Sequence, residues 1–491
     1  MRRRSAVPLR VGIIGAGVSS LALAARLRRL QGVTFTIFEQ SGGPGGTWHD
    51  NTYPGCEVDV PSHAYSFSFM PYDWSATFAR QPEMLAYIEH TIDTLELRPR
   101  YQFGMAVTEV RWDDRQKVWQ LRLADGSCQV FDVIVSAVGL LNNPKYPGWP
   151  GLDGFRGKAF HTARWDHGCD LRGRAVAVVG VGSSGAQVIP AIAADVAHLY
   201  VFQREPGWVV PKSSRPYTAR ERARSRRSPL RRRIERYRAF WVRENRARVR
   251  GLFYADTKEQ HQMQATLTTH IAALVPDRQL RAELTPAFPF GCKRPVIAND
   301  YYETFSRHNV TLVPHAIARV TPSGLVDAVG GAYDVDVIVL ATGFHATEVL
   351  ESVDVVGPGG RRLYGNGESA RAFLGISVAG YPNFFMLYGP NTNGGVSIIS
   401  QAERQADAIV VALRGLRRRA RRIVDTSPRA MSLFVKWCDA ANARRNAASP
   451  AFCTNYYYAA DGRNVTQWPA TSRIYWLFTK TLWRCGLRYQ A

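Results

Sequence analysis

Short apolar runs that end in glycine turns and lead into longer amphipathic stretches set the pattern of this chain. Val11 to Ile14 is one such run, followed by GAGVSS from Gly15 to Ser20 and a helical run from Leu21 to Leu30. The order returns at Ala175 to Val179, then GVGSSG from Gly180 to Gly185, then a helix starting near Ala186. Strand, glycine turn and helix in that order form a dinucleotide-binding unit. The glycines permit the tight turn and a close backbone approach to a pyrophosphate, whose charge sits at the helix N-terminus. One such fingerprint is weak evidence; two in the same context mark an internal duplication. A second repeated element agrees: FDVIVSAVG (Phe131 to Gly139) and VDVIVLATG (Val335 to Gly343) are short β-runs ending in a glycine turn. Each lies downstream of its own fingerprint and is expected to close that unit.

The second unit is longer, and its excess falls between about Tyr217 and Phe290. Leu230, Ile234, Tyr237 and Trp241 share one face at helical spacing there, surrounded by arginines, so the segment reads as helices. The fold class is therefore α/β, with two Rossmann-like dinucleotide-binding domains, the second inserted into a split first. The expected boundaries are 1–141 and 346–491 for the split domain, 150–212 and 291–345 for the inserted one, and 213–290 for a helical excursion.

The residue that closes the next strand separates the two sites. Glu39, in TIFEQ, lies 24 residues after Gly15; Arg204, in VFQRE, lies 24 residues after Gly180. An acid there accepts hydrogen bonds from ribose hydroxyls and repels a 2′-phosphate, whereas an arginine pairs with that phosphate. The first site is thus expected to hold FAD, through Gly15, Gly17, Ser20 and Glu39. The second is expected to hold NADPH, through Gly180, Gly182, Ser183, Ser184, Gly185 and Arg204. Ser20 stands where the fingerprint has its third glycine and is small enough for close helix packing. The competing reading of Arg204 is a surface arginine at a strand end.

Composition changes this picture little. The chain has 491 residues, enough for two or three domains, and 46% hydrophobic residues, as in a globular protein. No apolar run approaches the ~20 residues that span a bilayer. Arg2, Arg3 and Arg4 before an apolar stretch imitate an export signal, but that stretch carries the first glycine fingerprint. Seven widely spaced cysteines (Cys56, Cys128, Cys169, Cys292, Cys438, Cys453, Cys485) form neither a disulfide framework nor a zinc site, which fits a reducing cytoplasm. The net charge of +23 is uneven: fifteen arginines face three glutamates between Arg215 and Arg250, and six more follow from Arg414 to Arg422. Solvated helix faces explain such runs. An anionic membrane surface or an acidic carrier protein is the sharper alternative, and no recognisable motif supports nucleic acid.

FRGKAFHTARWD, with Phe155, Gly157, His161, Trp165 and Asp166, resembles the FxGxxxHxxxW[PD] fingerprint of the Baeyer–Villiger monooxygenases. Its place, just before the second glycine fingerprint, also matches. GGTW (Gly45 to Trp48), YPG leading to Asp59, QPE from Gln81, KRP from Lys293 leading into YYETF, and ATGF (Ala341 to Phe344) extend the resemblance over nearly the whole chain. The stretch after Tyr53 and the tail CTNYYYAADGRN look most like the branch containing 4-hydroxyacetophenone monooxygenase and fungal polyketide-tailoring enzymes, a link to secondary metabolism. Many relatives carry a tryptophan near Tyr456, where this chain has tyrosines.

The resemblance implies an FAD-dependent, NADPH-consuming oxygenase that turns a ketone into an ester or lactone with O2 through a flavin peroxide. It implies a catalytic Arg294 oriented by Asp59, with Lys293 beside Arg204 at the 2′-phosphate; on an alternating strand, positions 293 and 294 would face opposite ways. It places Gly46, Thr47, Trp48, Gln81 and Asn391 near FAD, and makes His161 a brace at the interdomain hinge. His161, Asp166, His167, Cys169 and Asp170 match no closed zinc pattern, and no metal is expected. The alternatives are an N- or S-oxygenating flavin monooxygenase and, from another class, a non-catalytic nucleotide-binding protein with a basic interaction surface.

Overall fold

The structure is a computed structural model that describes residues 8–249, 251–254, 256–348, 350–364, 368–395, 397–418, 422–445 and 455–490. Arg2 to Arg4, Cys453 and part of the run Arg414 to Arg422 lie outside the described residues. Two five-stranded, wholly parallel sheets organise the chain. The first runs Phe384–Met386, Val133–Ser136, Leu9–Ile14, Val33–Phe38, Tyr101–Gln102. The second runs Val310–Val313, His198–Phe202, Ala175–Val179, Val337–Leu340, Lys158–His161. The strands are continuous apolar runs because helices cover a parallel sheet on both faces; Val11, Ile13, Val133, Val135, Val176 and Val178 are all 0% exposed.

Register aligns the functional ends. Ile14 pairs with Phe38 and Ser136, so Gly15, Glu39 and Ala137 leave the same edge of the first sheet. Val179 pairs with Phe202 and Leu340, and Leu340 with His161, giving the second sheet a matching edge. Residues beyond the second sheet return to the first: Phe384–Met386 extends it, and Asp354–Val356 joins the small sheet of Val107–Asp113, Val118–Leu123 and Cys128–Phe131. Trp119 seals that junction, fully buried with its Nε1 donating to the Pro382 carbonyl at 2.9 Å.

The long insertion folds as helices Ala219–Arg227, Pro229–Val249, Lys258–Leu274 and Arg278–Leu284. Thr218 and Glu221 form a reciprocal capping box at the first of these. The apolar stripe read from the sequence is not the packed face of the second helix: Leu230, Ile234 and Tyr237 are 66%, 42% and 62% exposed. Arg236, Phe240 and Arg243 make the packed face instead, at the i, i+4, i+7 spacing that stacks side chains along one side. Arg236 bonds the Ser66 carbonyl and the buried Glu403, and Phe240 packs on Val60 and Ala64. Several of the arginines are thus used up as anchors, Arg222 and Arg226 both reaching Asp73.

Two further expectations need correction. Lys293 and Arg294 lie in a bend before the strand Val296–Ile297, not in a strand, and it is the bend that sends them to different partners. Cys56, Cys128, Cys169, Cys438 and Cys485 are free, but Cys292 is disulfide-bonded, a single bridge that the scattered spacing did not signal.

Candidate functional site

A cleft of about 1150 Å³ runs between the C-terminal edges of the two sheets. Gly15, Gly17, Glu39, Gly46, Thr47 and Trp48 line it from the first unit. The backbone explains the glycines. Gly15 has φ +98°, and a Cβ on it would meet the Ala137 carbonyl oxygen at 2.8 Å. A Cβ on Gly46, which has φ +53°, would come within 3.1 Å of the Gly17 Cα, so the close approach of the two loops favours glycine at position 46. The helix Val18–Leu27 starts at Gly17 with no side-chain cap, leaving its first N–H groups for an anion. Glu39 is buried, its oxygens accepting the Ala16 N–H at 2.7 Å and the Ser41 N–H at 2.9 Å. A carboxylate fixed in this way at the strand end suits ribose hydroxyls, so the residues present fit FAD.

The second unit repeats the turn. Gly180 has φ +103°, and a Cβ there would meet the Ala341 oxygen at 2.5 Å; a Cβ on Gly185 would lie 2.0 Å from the Gly180 oxygen. Gly182 leaves the helix Ser183–Ile192 uncapped, and Ser183 and Ser184 face the cleft. Arg204 is exposed at the strand end. Lys293 bonds Glu205, next to Arg204, and its ammonium lies 4.9 Å over the Phe288 ring. Two cations thus meet at the edge where a 2′-phosphate would sit.

Arg294 and Asp59, 235 residues apart in sequence, form an ion pair within the cleft. Burial alone would raise the Asp59 carboxyl, but Arg294, and after it Arg243, hold it below its ordinary value. Asp59 in turn raises the Arg294 guanidinium against its own desolvation. The pair therefore stays ionised, and Arg294 presents a fixed positive charge. Tyr388, also in the cleft wall, donates to Asn393 Oδ1 at 2.8 Å.

The fingerprint residues brace rather than react. His161 is 1% exposed; its Nδ1 accepts the Ala163 N–H at 3.0 Å, which leaves Nε2 to donate to the Gly343 carbonyl at 3.0 Å. Desolvation lowers it to about 4, so the ring is neutral and ties the fingerprint strand to the ATGF turn. Gly157 is required because a Cβ would lie 2.2 Å from the Asp336 oxygen and against the Phe155 ring. Trp165 packs edge-on to Phe160, and Asp166 accepts the Gly168 N–H at 2.9 Å. The adjacent Arg164 reaches Asp50 across the cleft at 3.4 Å.

Four placements differ from expectation. Gln81 does not line the cleft; its Nε2 donates to the Trp48 carbonyl, so it positions Trp48. Asn391 is likewise behind the wall: its Nδ2 donates to the carbonyls of Asn464 and Gln467, at φ +57°. Asn393 to Gly395, further along the same loop, reach the cleft instead. In the tail it is Tyr457, edge-on to Tyr456 with ring centroids 4.8 Å apart, that lines the cleft. Ser20 is fully buried off the cleft, its Oγ donating to the Gly17 carbonyl at 2.8 Å.

Sequence reasoning missed Gln187, which joins the two units. Its Oε1 accepts the Tyr53 hydroxyl at 2.9 Å and its Nε2 donates to the Glu57 carbonyl at 2.9 Å. Gly55 of YPG packs there, where a Cβ would meet the Gln187 oxygen at 2.4 Å. The YPG triplet was the available signal, since a glycine inside a conspicuous turn marks a close backbone approach. Arg243 was missed as well, lost among its fourteen neighbouring arginines.

Two nucleotide cradles opening on one cleft, with a tethered guanidinium between them, define a two-dinucleotide flavoprotein. Residues 13–81 match the model of an NAD(P)-binding Rossmann-like domain. A Baeyer–Villiger monooxygenase of Streptomyces coelicolor is 40% identical over 94% of this chain and 89% of its own length; one of Pseudomonas aeruginosa is 37% identical over 94% and 87%. Among solved structures, a steroid monooxygenase bound to NADP superposes with a TM-score of 0.88 at 30% identity, covering 98% of this chain and 99% of that one. The chain belongs to the Baeyer–Villiger monooxygenase family. It is an FAD- and NADPH-dependent monooxygenase that oxygenates ketones. No described helix is long and apolar enough to cross a membrane.

Proposed function

We propose that this enzyme inserts oxygen beside a ketone carbonyl held against Arg294, with FAD in the first unit and NADPH in the second. The ion pair between Arg294 and Asp59 inside the shared cleft carries this reading. When bound, FAD would supply the redox and oxygen chemistry, with NADPH as the reductant. The protein binds, orients and excludes water. Glu39 holds the FAD ribose, and the uncapped helix at Gly17 holds the pyrophosphate. Arg204 and Lys293, the latter bonded to Glu205 in this structure, would hold the NADPH 2′-phosphate. Arg294 stays protonated and faces the carbonyl oxygen as that oxygen gains negative charge, a preorganised stabilisation that needs no rearrangement of water. Asp59 orients the guanidinium. Neutral His161 ties the fingerprint to the second sheet and positions the hinge across which NADPH approaches. N- or S-oxygenation makes no carbonyl-derived anion and would leave this charge without a task. The exposed arginines of the helical insertion suit an acidic carrier protein.

Arg294→Ala tests the assignment. The variant should retain FAD and still be reduced by NADPH, while ester formation from a ketone panel falls by about 10²- to 10³-fold, the usual cost of losing one oxyanion-stabilising group. Ketone oxygenation at the wild-type rate would overturn it.

A further inference from the structure

The helix Pro229–Val249 brings two arginines to the cleft lining, the exposed Arg238 and the half-buried Arg243, and the reaction requires neither. Arg243 lines the cleft, is half-buried, and lies on the packed face of the helix one turn beyond Phe240, which contacts Val60 and Ala64 just after Asp59. It is close enough to Asp59 and Arg294 to be felt by both. Yet it makes no ion pair among the described residues, whereas Arg222, Arg226, Arg231 and Arg236 of the same insertion each reach a carboxylate.

The nearby carboxylates are already committed. Asp59 is bonded to Arg294, and the buried Glu244, which also lines the cleft, accepts the Arg473 backbone N–H at 3.1 Å and makes no ion pair with Arg243. Another cleft-lining cation, Arg445, is held by the Trp468 carbonyl at 3.0 Å and by the Phe253 ring, again with no carboxylate among the described residues. The cleft lining as a whole has as many carboxylates as arginines, five of each, so it is Arg243 itself that lacks a counter-ion among the described residues. A half-buried, unpaired guanidinium is costly to maintain, and an anion from outside the chain offsets that cost.

We propose that Arg243 is a specificity-determining residue that binds a carboxylate on the ketone substrate, so that the preferred substrates are keto acids. Aliphatic residues complete the chamber: Val242, Leu252, Met263 and Ile474 line it and would hold the hydrocarbon between the carbonyl at Arg294 and the carboxylate at Arg243. The inference rests on the reading that a ketone occupies the cleft beside Arg294.

The experiment uses the FAD-loaded enzyme with NADPH and a series of methyl-ketone carboxylic acids of graded chain length, each paired with its methyl ester. Wild type should prefer the acid at some chain length. Arg243→Gln should lower the acid-to-ester ratio of kcat/KM on the order of 10- to 100-fold, the range for a lost charge-assisted hydrogen bond. Arg243→Lys should restore part of that ratio. FAD content and flavin reduction by NADPH without ketone report whether each variant is folded. Inhibition of wild type by non-ketone carboxylates of matching length, weaker for their amides, would support the same assignment without any variant.

A wild-type preference for the esters, or an equal fall with acid and ester in Arg243→Gln, overturns the inference while leaving the ketone reading standing. A raised KM for NADPH with the ratio intact overturns it too and reassigns Arg243 to the nucleotide. If wild type oxygenates no member of either series, both the inference and the ketone reading beneath it fall.

Discussion

The two nucleotide units share a backbone and differ in what they leave open. In both, a strand ends in a left-handed glycine (φ +98° at Gly15, +103° at Gly180) pressed against an alanine carbonyl of the neighbouring strand end. In both, a glycine with extended backbone starts an uncapped helix. Beyond the turn they part. Glu39 is buried and held by two backbone N–H groups, whereas Arg204 is exposed with no ion pair among the described residues. A side chain fixed before the ligand arrives loses little entropy on binding, which suits a cofactor that stays. A free arginine at an exposed edge suits one that enters and leaves with each turnover. The two units thus share one cradle, and their strand-end residues differ in charge, burial and freedom.

Transplanting the small residue of the first unit into the second should break the likeness most severely. Gly185→Ser copies Ser20, but its Cβ would lie 2.0 Å from the Gly180 oxygen, a backbone atom that cannot swing aside. We expect a loss of about 3 kcal/mol of stability in that unit, at the upper end for overpacking. NADPH-driven flavin reduction should fail while FAD stays bound; unchanged reduction would show that the second helix can shift as the first has.

Arg204→Ala should have a smaller and more selective effect. The KM for NADPH should rise by roughly 10- to 100-fold, as for a lost charge-assisted contact, with NADH use nearly unchanged. Equal losses with both nucleotides would mean that Arg204 does not read the 2′-phosphate and that the contrast with Glu39 is accidental.

What could be read in the sequence follows the same division between backbone and side chain. The glycine turns, both parallel sheets and the strand-end pair Glu39 and Arg204 were legible because spacing encodes backbone geometry directly. Asp59 and Arg294 were legible only through resemblance, since nothing local relates residues 235 apart. Gln81 and Asn391, expected near FAD, do not line the cleft. Both lie in motifs that approach the cleft, yet whether a side chain faces the ligand or supports the wall depends on neighbours such as Trp48 and Asn464, which no local pattern names. The helix Pro229–Val249 misled for another reason. Its apolar stripe was the stronger periodic signal, but Glu403 and the Ser66 carbonyl favour a polar partner, so the arginine-bearing face packs and the stripe is left exposed. Periodicity finds a helix; it finds the buried face only when the surface opposite is apolar.

The smallest expected effect is the reverse exchange, Ser20→Gly, and it isolates what the first unit gained by departing from the glycine pattern. Ser20 is fully buried on the helix Val18–Leu27, and its Oγ donates to the Gly17 carbonyl at 2.8 Å. That bond ties the first turn of the helix back to the loop that cradles the pyrophosphate. Removing it also places glycine in a helix, which costs about 0.5–1 kcal/mol in backbone entropy, with a similar amount for the lost hydrogen bond. The cavity left by so small a side chain adds little. The variant should therefore lose about 1–2 kcal/mol by chemical denaturation, read as a lower denaturant midpoint, and keep its FAD in dilute buffer. Released FAD without loss of stability would instead make Ser20 part of the cofactor site itself. The two units would then differ in how each fingerprint grips its pyrophosphate as well as in their strand-end residue.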